Sequence, residues 1–289
     1  MNKALKCLIL TAILLAIITH DPLSTSHPAA SPNDHAKEDL SRVLYPSTRF
    51  IAWKPVFIRP QDTLESLYGK DWILVARFNR IDRRHVYPGM TIKSPLNMDD
   101  LKDYTPMSLE YKPAKRYQRY ILINMEEQWL GAYEYGRLKF SFPAATGKTG
   151  YESPTGIFRV DARHKNHTSS LYKTEDESVQ YPMDYAIRFY IGKDNVAYWI
   201  HARDLPGKPA SHGCIGLFDE AMQKRITNVP ENPVLQDSKK LYDWAVGESL
   251  YGPDSGSIEL LENGPIVEIV GHNPVYLSEP TRSQENQQS

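Results

Sequence analysis

From Arg119 onward the chain is written in short alternating pieces, and that pattern decides the class of fold it can adopt. In RYILINMEEQWLGAYEYGRLKFSFPAATG (119–147), Tyr120, Leu122 and Asn124 alternate with Ile121, Ile123 and Met125, and Gly136-Arg137 marks a hairpin turn. Further strand-like runs follow at 157–161 (IFRVD), 185–191 (YAIRFYI), 196–200 (VAYWI) and 266–270 (IVEIV). One interval, 237–246 (DSKKLYDWAV), has helical spacing, with Leu241, Trp244 and Ala245 on one face. The pattern predicts a mainly β fold, a sandwich or barrel with small helical elements.

Such a fold must hold without disulfides. The 289 residues contain two cysteines, and the first lies in a segment built for removal. Lys3 and Lys6 precede an apolar run at 7–18 (CLILTAILLAII), which ends at His20, Asp21 and Pro22 and is followed by Ser24, Ser26, Ala29 and Ala30. That is the layout of a secretory signal peptide. The run falls short of the ~20 residues that span a bilayer, so cleavage at about 26–30 and release into a periplasm or cell wall are expected. Membrane contact is then limited to the signal before cleavage. Cys7 leaves with it and Cys214 remains alone. A hydrophobic content of 41% suffices for real cores, and a net charge of −1 provides no electrostatic footprint for nucleic acid.

The chain divides into a signal at 1–30, a polar spacer at 31–54, a compact unit at 55–95, a polar connector at 96–117, the strand-rich domain at 118–271 and a tail at 272–289 whose composition predicts disorder. In the compact unit, Val56-Phe57-Ile58 reads as a strand. Asp62 is placed to cap a helix with Glu65 completing a capping box, Asp71 to cap a second helix, and Pro88-Gly89 to turn the chain into a second strand at Met90–Ile92.

Cys214 lies in HARDLPGKPASHGC, thirteen residues after His201 and two after His212. A thiolate is a nucleophile, and a neighbouring imidazole can take its proton or hold its charge. Gly213 lets the backbone pass close to a substrate, and the N–H groups around Cys214 are candidate donors to an oxyanion. Two alternatives stay open on these residues. Two histidines and a cysteine can bind zinc, but neither Asp204 nor Asp219 completes a metal-like spacing. A buried inert thiol is the other, against which stand the small and polar neighbours Ser211, His212 and Gly213.

SHGCIGL, with an Ile-His about a dozen residues earlier, resembles the signature of the L,D-transpeptidase (YkuD-type) family of peptidoglycan enzymes. Ala145–Lys148, Glu152–Gly156 and Met183–Phe189 resemble further family segments in family order, over roughly 118–271. The resemblance implies Cys214 as nucleophile and His201 as general acid/base, with Ser211, His212, Gly213, Ala202, Tyr185, Arg188, Thr155 and Gly156 supporting them or binding substrate. It implies no metal and no cofactor. Peptidoglycan stem peptides are the implied partners, and a 3→3 crosslink formed through a thioester is the implied product. A hydrolase on the same scaffold, an L,D-carboxypeptidase or a protein–wall amidase, is the alternative, and an inactive wall-binding protein a further one. Two departures stand out: Ala202 replaces a common glycine, and Gly216 stands where the family usually has Arg or Asn. The 55–95 unit resembles a LysM carbohydrate-binding module of βααβ order through Pro60, Asp62, Thr63, Leu64, Phe78, Asn79, Pro88, Gly89 and Pro95. That likeness implies glycan contacts at Asp62, Thr63, Leu64, Asn79, Pro88 and Gly89. His201→Ala is expected to remove base catalysis and to raise the thiol pKa, with His212→Ala milder.

Overall fold

The computed structural model describes residues 38–277, apart from 175 and 194. The expected signal peptide and the end of the tail lie outside these residues. Along the chain come β1 (Val43–Leu44), β2 (Trp53–Phe57), α1 (Leu64–Tyr68), α2 (Trp72–Asn79), β3 (Thr91–Pro95), β4 (Tyr120–Asn124), β5 (Trp129–Glu134), β6 (Arg137–Pro143) and β7 (Gly156–Arg159). Then follow β8 (Ala162–Lys173), β9 (Gln180–Ile191), β10 (Ala197–Arg203), β11 (Ile215–Phe218), α3 (Glu220–Thr227), α4 (Asp237–Val246), α5 (Glu248–Tyr251), β12 (Glu259–Leu260), β13 (Ile266–Val270) and β14 (Val275–Tyr276).

Two five-stranded sheets carry the strand-rich part, in the orders β11-β10-β9-β8-β12 and β6-β5-β4-β13-β7. Neighbours run antiparallel except β10–β11 and β13–β4, which are parallel. The alternation read from the sequence sends Ile121, Ile123, Leu130 and Ala132 into one core with Ile187, Phe189, Ile200, Ile215 and Leu217 of the other sheet. α4 adds Leu241, Tyr242 and Ala245 to that core. Burying one such aliphatic side chain contributes about 1.5–3 kcal/mol, so a mainly β sandwich stands without a disulfide. At the β5–β6 turn both Tyr135 and Gly136 take positive φ, 47° and 80°, the conformation that two-residue hairpins favour. The sequence pattern missed α3 and the length of β8, whose polar ARHKNHTSSLYK lacks clean alternation.

The connector at 96–117 packs closely. Met107 and Ala114 are buried with Tyr120, Leu122, Trp129 and Tyr133, and Tyr104, Tyr111 and Tyr117 pack on the same cluster. β4 therefore buries both of its faces, which explains its unbroken YILI. The start of the tail is likewise ordered: Val275 and Tyr276 pair with Leu44 and Val43, and the Asn273 amide donates to the Gly147 carbonyl at 2.9 Å. The disorder expected from residue 272 does not hold through 277.

The compact unit has the order β2–α1–α2–β3, with β2 and β3 antiparallel. Its capping differs from the expectation. Thr63, not Asp62, caps α1, and Ser66, not Glu65, completes the capping box. Asp62 instead accepts from the Arg59 N–H at 2.8 Å, and Asp71 makes no side-chain cap bond to α2. The second strand begins at Thr91 rather than Met90. This unit shares its core with the sandwich: Ile58, Leu64, Val75 and Ile92 are buried together with Ala145, Leu205, Phe218 and Leu235. Ion pairs reinforce the join. Arg83 reaches the fully buried Glu220 side chain at 2.7 Å, and Arg77 the fully buried Asp237 side chain at 2.7 Å. Asp82 accepts from the Leu205 N–H at 2.6 Å.

Candidate active site

β10 positions the site by strand alternation. Trp199, His201 and Arg203 point to one face. The parallel neighbour β11 pairs Ile215 with Ile200 and Gly216 with His201. Cys214, one step before that ladder, therefore sits beside Trp199 and packs against the cluster containing Trp199, Met183 and Ala186. A cavity of about 650 Å³ opens over this face. Cys214, His201, His212, Ser211 and Arg188 line it. So the structure brings these sequence-predicted residues together.

His201 is 3% exposed. Its Nδ1 lies 2.7 Å from the Ala202 carbonyl oxygen, which can only accept, so Nδ1 carries the proton and Nε2 is left with its lone pair. Burial holds the imidazole at about 3, well below its ordinary value, and the nearby Arg203 charge pushes in the same direction. Burial likewise pushes the Cys214 thiol up to about 11, against the opposing pull of a Trp199 backbone hydrogen bond and the Arg203 charge. At neutral pH the resting pair is thus thiol and neutral imidazole, rather than thiolate and imidazolium.

The loop before Cys214 is held by Ser211, whose Oγ donates to the Cys214 carbonyl at 2.5 Å and accepts from the Gly213 N–H at 3.0 Å. The Gly213 amide is therefore committed inside the loop and unavailable as an oxyanion donor, contrary to the sequence expectation. Gly213 is required for another reason. It sits at φ 112°, and a Cβ there would fall 2.5 Å from the Tyr198 ring. His212 stacks on Tyr172, with ring centroids 4.3 Å apart, and meets Tyr151 edge-on at 4.7 Å. Burial, then Lys148 and Arg203, lower its pKa.

Several expected site residues lie elsewhere. Thr155 and Gly156 are exposed at the start of β7, an edge strand of the other sheet. Tyr185 packs against the sandwich core, its ring 5.8 Å from Tyr242. Ala202 contributes only its carbonyl, since its side chain is fully buried. In the compact unit, Leu64 is buried in the shared core. Asn79 is also buried, its amide donating to the Val75 and Lys93 carbonyls and its oxygen accepting from the Lys93 N–H. Both hold the fold and are closed to a glycan. Thr63 caps its own helix, and Gly89 sits in the turn before β3 at φ 99°.

The cavity also holds residues the sequence reading passed over: Trp199, Arg203, Tyr172, His167 and Tyr181. Trp199 and Arg203 were within reach, being two residues either side of His201 on a strand. His167 and Tyr172 come from β8, whose sequence carries no such signal. The His167 ring lies 4.4 Å from Trp199, and burial, then His164 and Arg188, lower its pKa to about 4. Among the described residues no group of three or more His, Cys, Asp or Glu side chains is arranged to hold a metal ion. No described helix is long and apolar enough to cross a membrane.

A two-sheet sandwich carrying a thiol and an acceptor imidazole in one cavity has the equipment of an acyl-transfer enzyme. Residues 118–267 match the model of the YkuD family, the L,D-transpeptidase catalytic domain. That is just over half of the 289 residues, and the chain belongs to this family. Solved structures similar to it include an L,D-transpeptidase from Stackebrandtia nassauensis, with 19% identity over 72% of this chain and 69% of that one and a TM-score of 0.38. An L,D-transpeptidase from Mycobacterium smegmatis has 15% identity over 53% of this chain and 59% of that one, at a TM-score of 0.36. L,D-transpeptidase 1 of Mycobacterium tuberculosis has 16% identity over 53% and 62%, at 0.33. The chain thus spans about six tenths of the two mycobacterial proteins, and scores this low add nothing to the family match. No curated protein matches the chain.

Proposed function

We propose that the protein is an exported peptidoglycan L,D-transpeptidase that forms 3→3 crosslinks through a thioester on Cys214. The observation that carries this reading is the His201 ring, fixed through Nδ1 to the Ala202 carbonyl at 2.7 Å, in the cavity that also holds the thiol. With Nδ1 protonated, Nε2 is the group that can accept a proton.

In this mechanism His201 Nε2 takes the thiol proton as Cys214 Sγ attacks the carbonyl of the third stem residue. The tetrahedral oxyanion is met by the Cys214 backbone N–H, since the Gly213 N–H is already donated to Ser211. Collapse breaks the peptide bond, and the imidazolium gives its proton to the departing amine of the terminal D-alanine. The side-chain amine of a second stem then attacks the thioester while Nε2 accepts its proton, so the new amide forms and the thiol is regenerated. No external energy source is required, because one amide is exchanged for another.

Export rests on the layout of residues 1–30, and a periplasmic or wall location follows from it. The unit at 55–95 is proposed as the glycan-facing part. What supports this is its β–α–α–β order and a cleft of about 510 Å³ between Thr63, Glu65, Arg83, Arg84 and Val86 on one side and Val229–Asn232 on the other. Incubation of the purified protein with defined tetrapeptide stems, followed by mass analysis, tests the activity. Crosslinked dimers are expected. Tripeptides alone would make it a carboxypeptidase, and unchanged stems would overturn both.

A further inference from the structure

Three arginines line the cavity: Arg84, Arg188 and Arg203. Arg188 is paired with Asp161 at 2.7 Å and Arg84 with Asp204 at 3.2 Å. Arg203 has no carboxylate within ion-pair distance among the described residues. Its sequence neighbour Asp204 is already taken by His85 at 2.6 Å, by Arg84 and by the Tyr181 hydroxyl at 2.5 Å. The Arg203 Nε is buried and has no hydrogen-bond partner. One of its terminal nitrogens makes a long bond of 3.3 Å to the Ala210 carbonyl. A buried donor on a charged group left unpaired is costly, and a guanidinium is shaped to satisfy its donors two at a time on a carboxylate.

The backbone places this guanidinium deliberately. Gly216 has no side chain, and the Arg203 methylenes fill the space, so that a Cβ on Gly216 would fall 2.4 Å from Arg203 Cδ. Gly216 lies in β11 and Cys214 just before its first residue, two positions away and about 6–7 Å between Cα atoms if extended. Arg203, packed on Gly216, therefore stands about two residues' length along the strand from Cys214. Its charge acts on Cys214, His201 and His212 alike.

We propose that Arg203 binds the carboxylate of the substrate residue next to the scissile carbonyl. This rests on the stem-peptide reading above, in which that group is the C-terminal carboxylate of the departing D-alanine. A donor must then end one residue beyond the bond that breaks, and a stem whose terminal carboxylate is capped is refused.

Two measurements on the full-length protein test this. The first compares alkylation of Cys214 by iodoacetate and by iodoacetamide, which differ in the carboxylate. Any effect of Arg203 on thiol ionisation touches both reagents equally and cancels in their ratio. The ratio is expected to fall about 10- to 100-fold in Arg203→Gln, the range for a charge-assisted hydrogen bond. In Arg203→Lys, which keeps the methylenes over Gly216 and the charge but loses the fork, an intermediate ratio is expected. Because Arg203→Lys retains that packing, it carries the test if the glutamine variant fails to fold. An unchanged ratio in a folded variant overturns the proposal. The second compares tetrapeptide stems with a free or an amidated C-terminus. The wild type should prefer the free acid, and Arg203→Gln should lose that preference chiefly through KM. Equal use of both stems by the wild type overturns the proposal. If neither stem is turned over while the alkylation ratio still falls, the anion site stands and the stem-peptide reading fails.

Discussion

Replacing His201 separates two ways of activating a cysteine. If the resting site held a thiolate–imidazolium pair, His201→Ala would remove the charge that stabilises the thiolate, and the thiol pKa would rise. Burial supports a neutral resting pair instead, in which the thiol pKa hardly changes. Burial keeps the imidazole neutral down to about pH 3 and the thiol protonated up to about pH 11. At pH 7, four units below the thiol value, the thiolate fraction is about 10⁻⁴, and His201 contributes no charge to it. The alkylation rate of Cys214 should therefore climb roughly tenfold per pH unit between pH 7 and 10 in wild type and His201→Ala alike, with the two profiles within about half a unit. Turnover of stem peptides should fall about 10²–10⁴-fold in the same variant, because the acceptor that takes the proton during attack is gone. The assay is iodoacetamide labelling across pH 6–11 by intact mass, alongside product formation. A reactive plateau near neutral pH in the wild type that vanishes in His201→Ala would refute the neutral pair.

The remaining predictions concern stability and the loop. The folded-state pKa of His201 is depressed below its unfolded value of 6.5, so its contribution is fully present above pH 6.5 and is lost as pH falls toward 3. Between pH 7.5 and 4.5 that loss is about 2–3 kcal/mol. Urea melts at the two values should show a difference smaller by this amount in His201→Gln, and equal slopes would remove His201 as the cause. Arg83→Met strands the buried Glu220 carboxylate and should cost about 3–5 kcal/mol, read as a fall in Tm; a change below ~1 kcal/mol would mean the 55–95 unit is only loosely joined. Deleting 55–95 exposes Leu205, Phe218 and Leu235, so soluble turnover should collapse together with the folded state, whereas a folded, active truncation would contradict the shared core. Gly213→Ala places a Cβ against the Tyr198 ring at φ 112° and should lower kcat at least tenfold by shifting Cys214. Wild-type kcat in that variant would show that the loop tolerates the change.

The sequence by itself determined what depends on local periodicity and residue type. Alternation in YILIN and IVEIV predicted strands, and Leu241, Trp244 and Ala245 predicted α4, because side-chain direction follows from backbone repeat alone. His201 was legible at the end of an apolar strand run, and Cys214 as the lone cysteine in the SHGC that follows it. What the sequence could not determine depends on which strands become neighbours. Thr155 and Gly156 looked like part of the site but begin a strand of the second sheet. Gly213 looked like an oxyanion donor until Ser211 folded back onto its amide. The 55–95 unit looked separable, yet its apolar face is completed by residues more than a hundred positions away. The protonation of the Cys214–His201 pair was decided last of all, by burial. A thiol and an imidazole in a sequence carry their ordinary pKa values, and only the packed sheets around them withdraw the water that would have stabilised their charged forms.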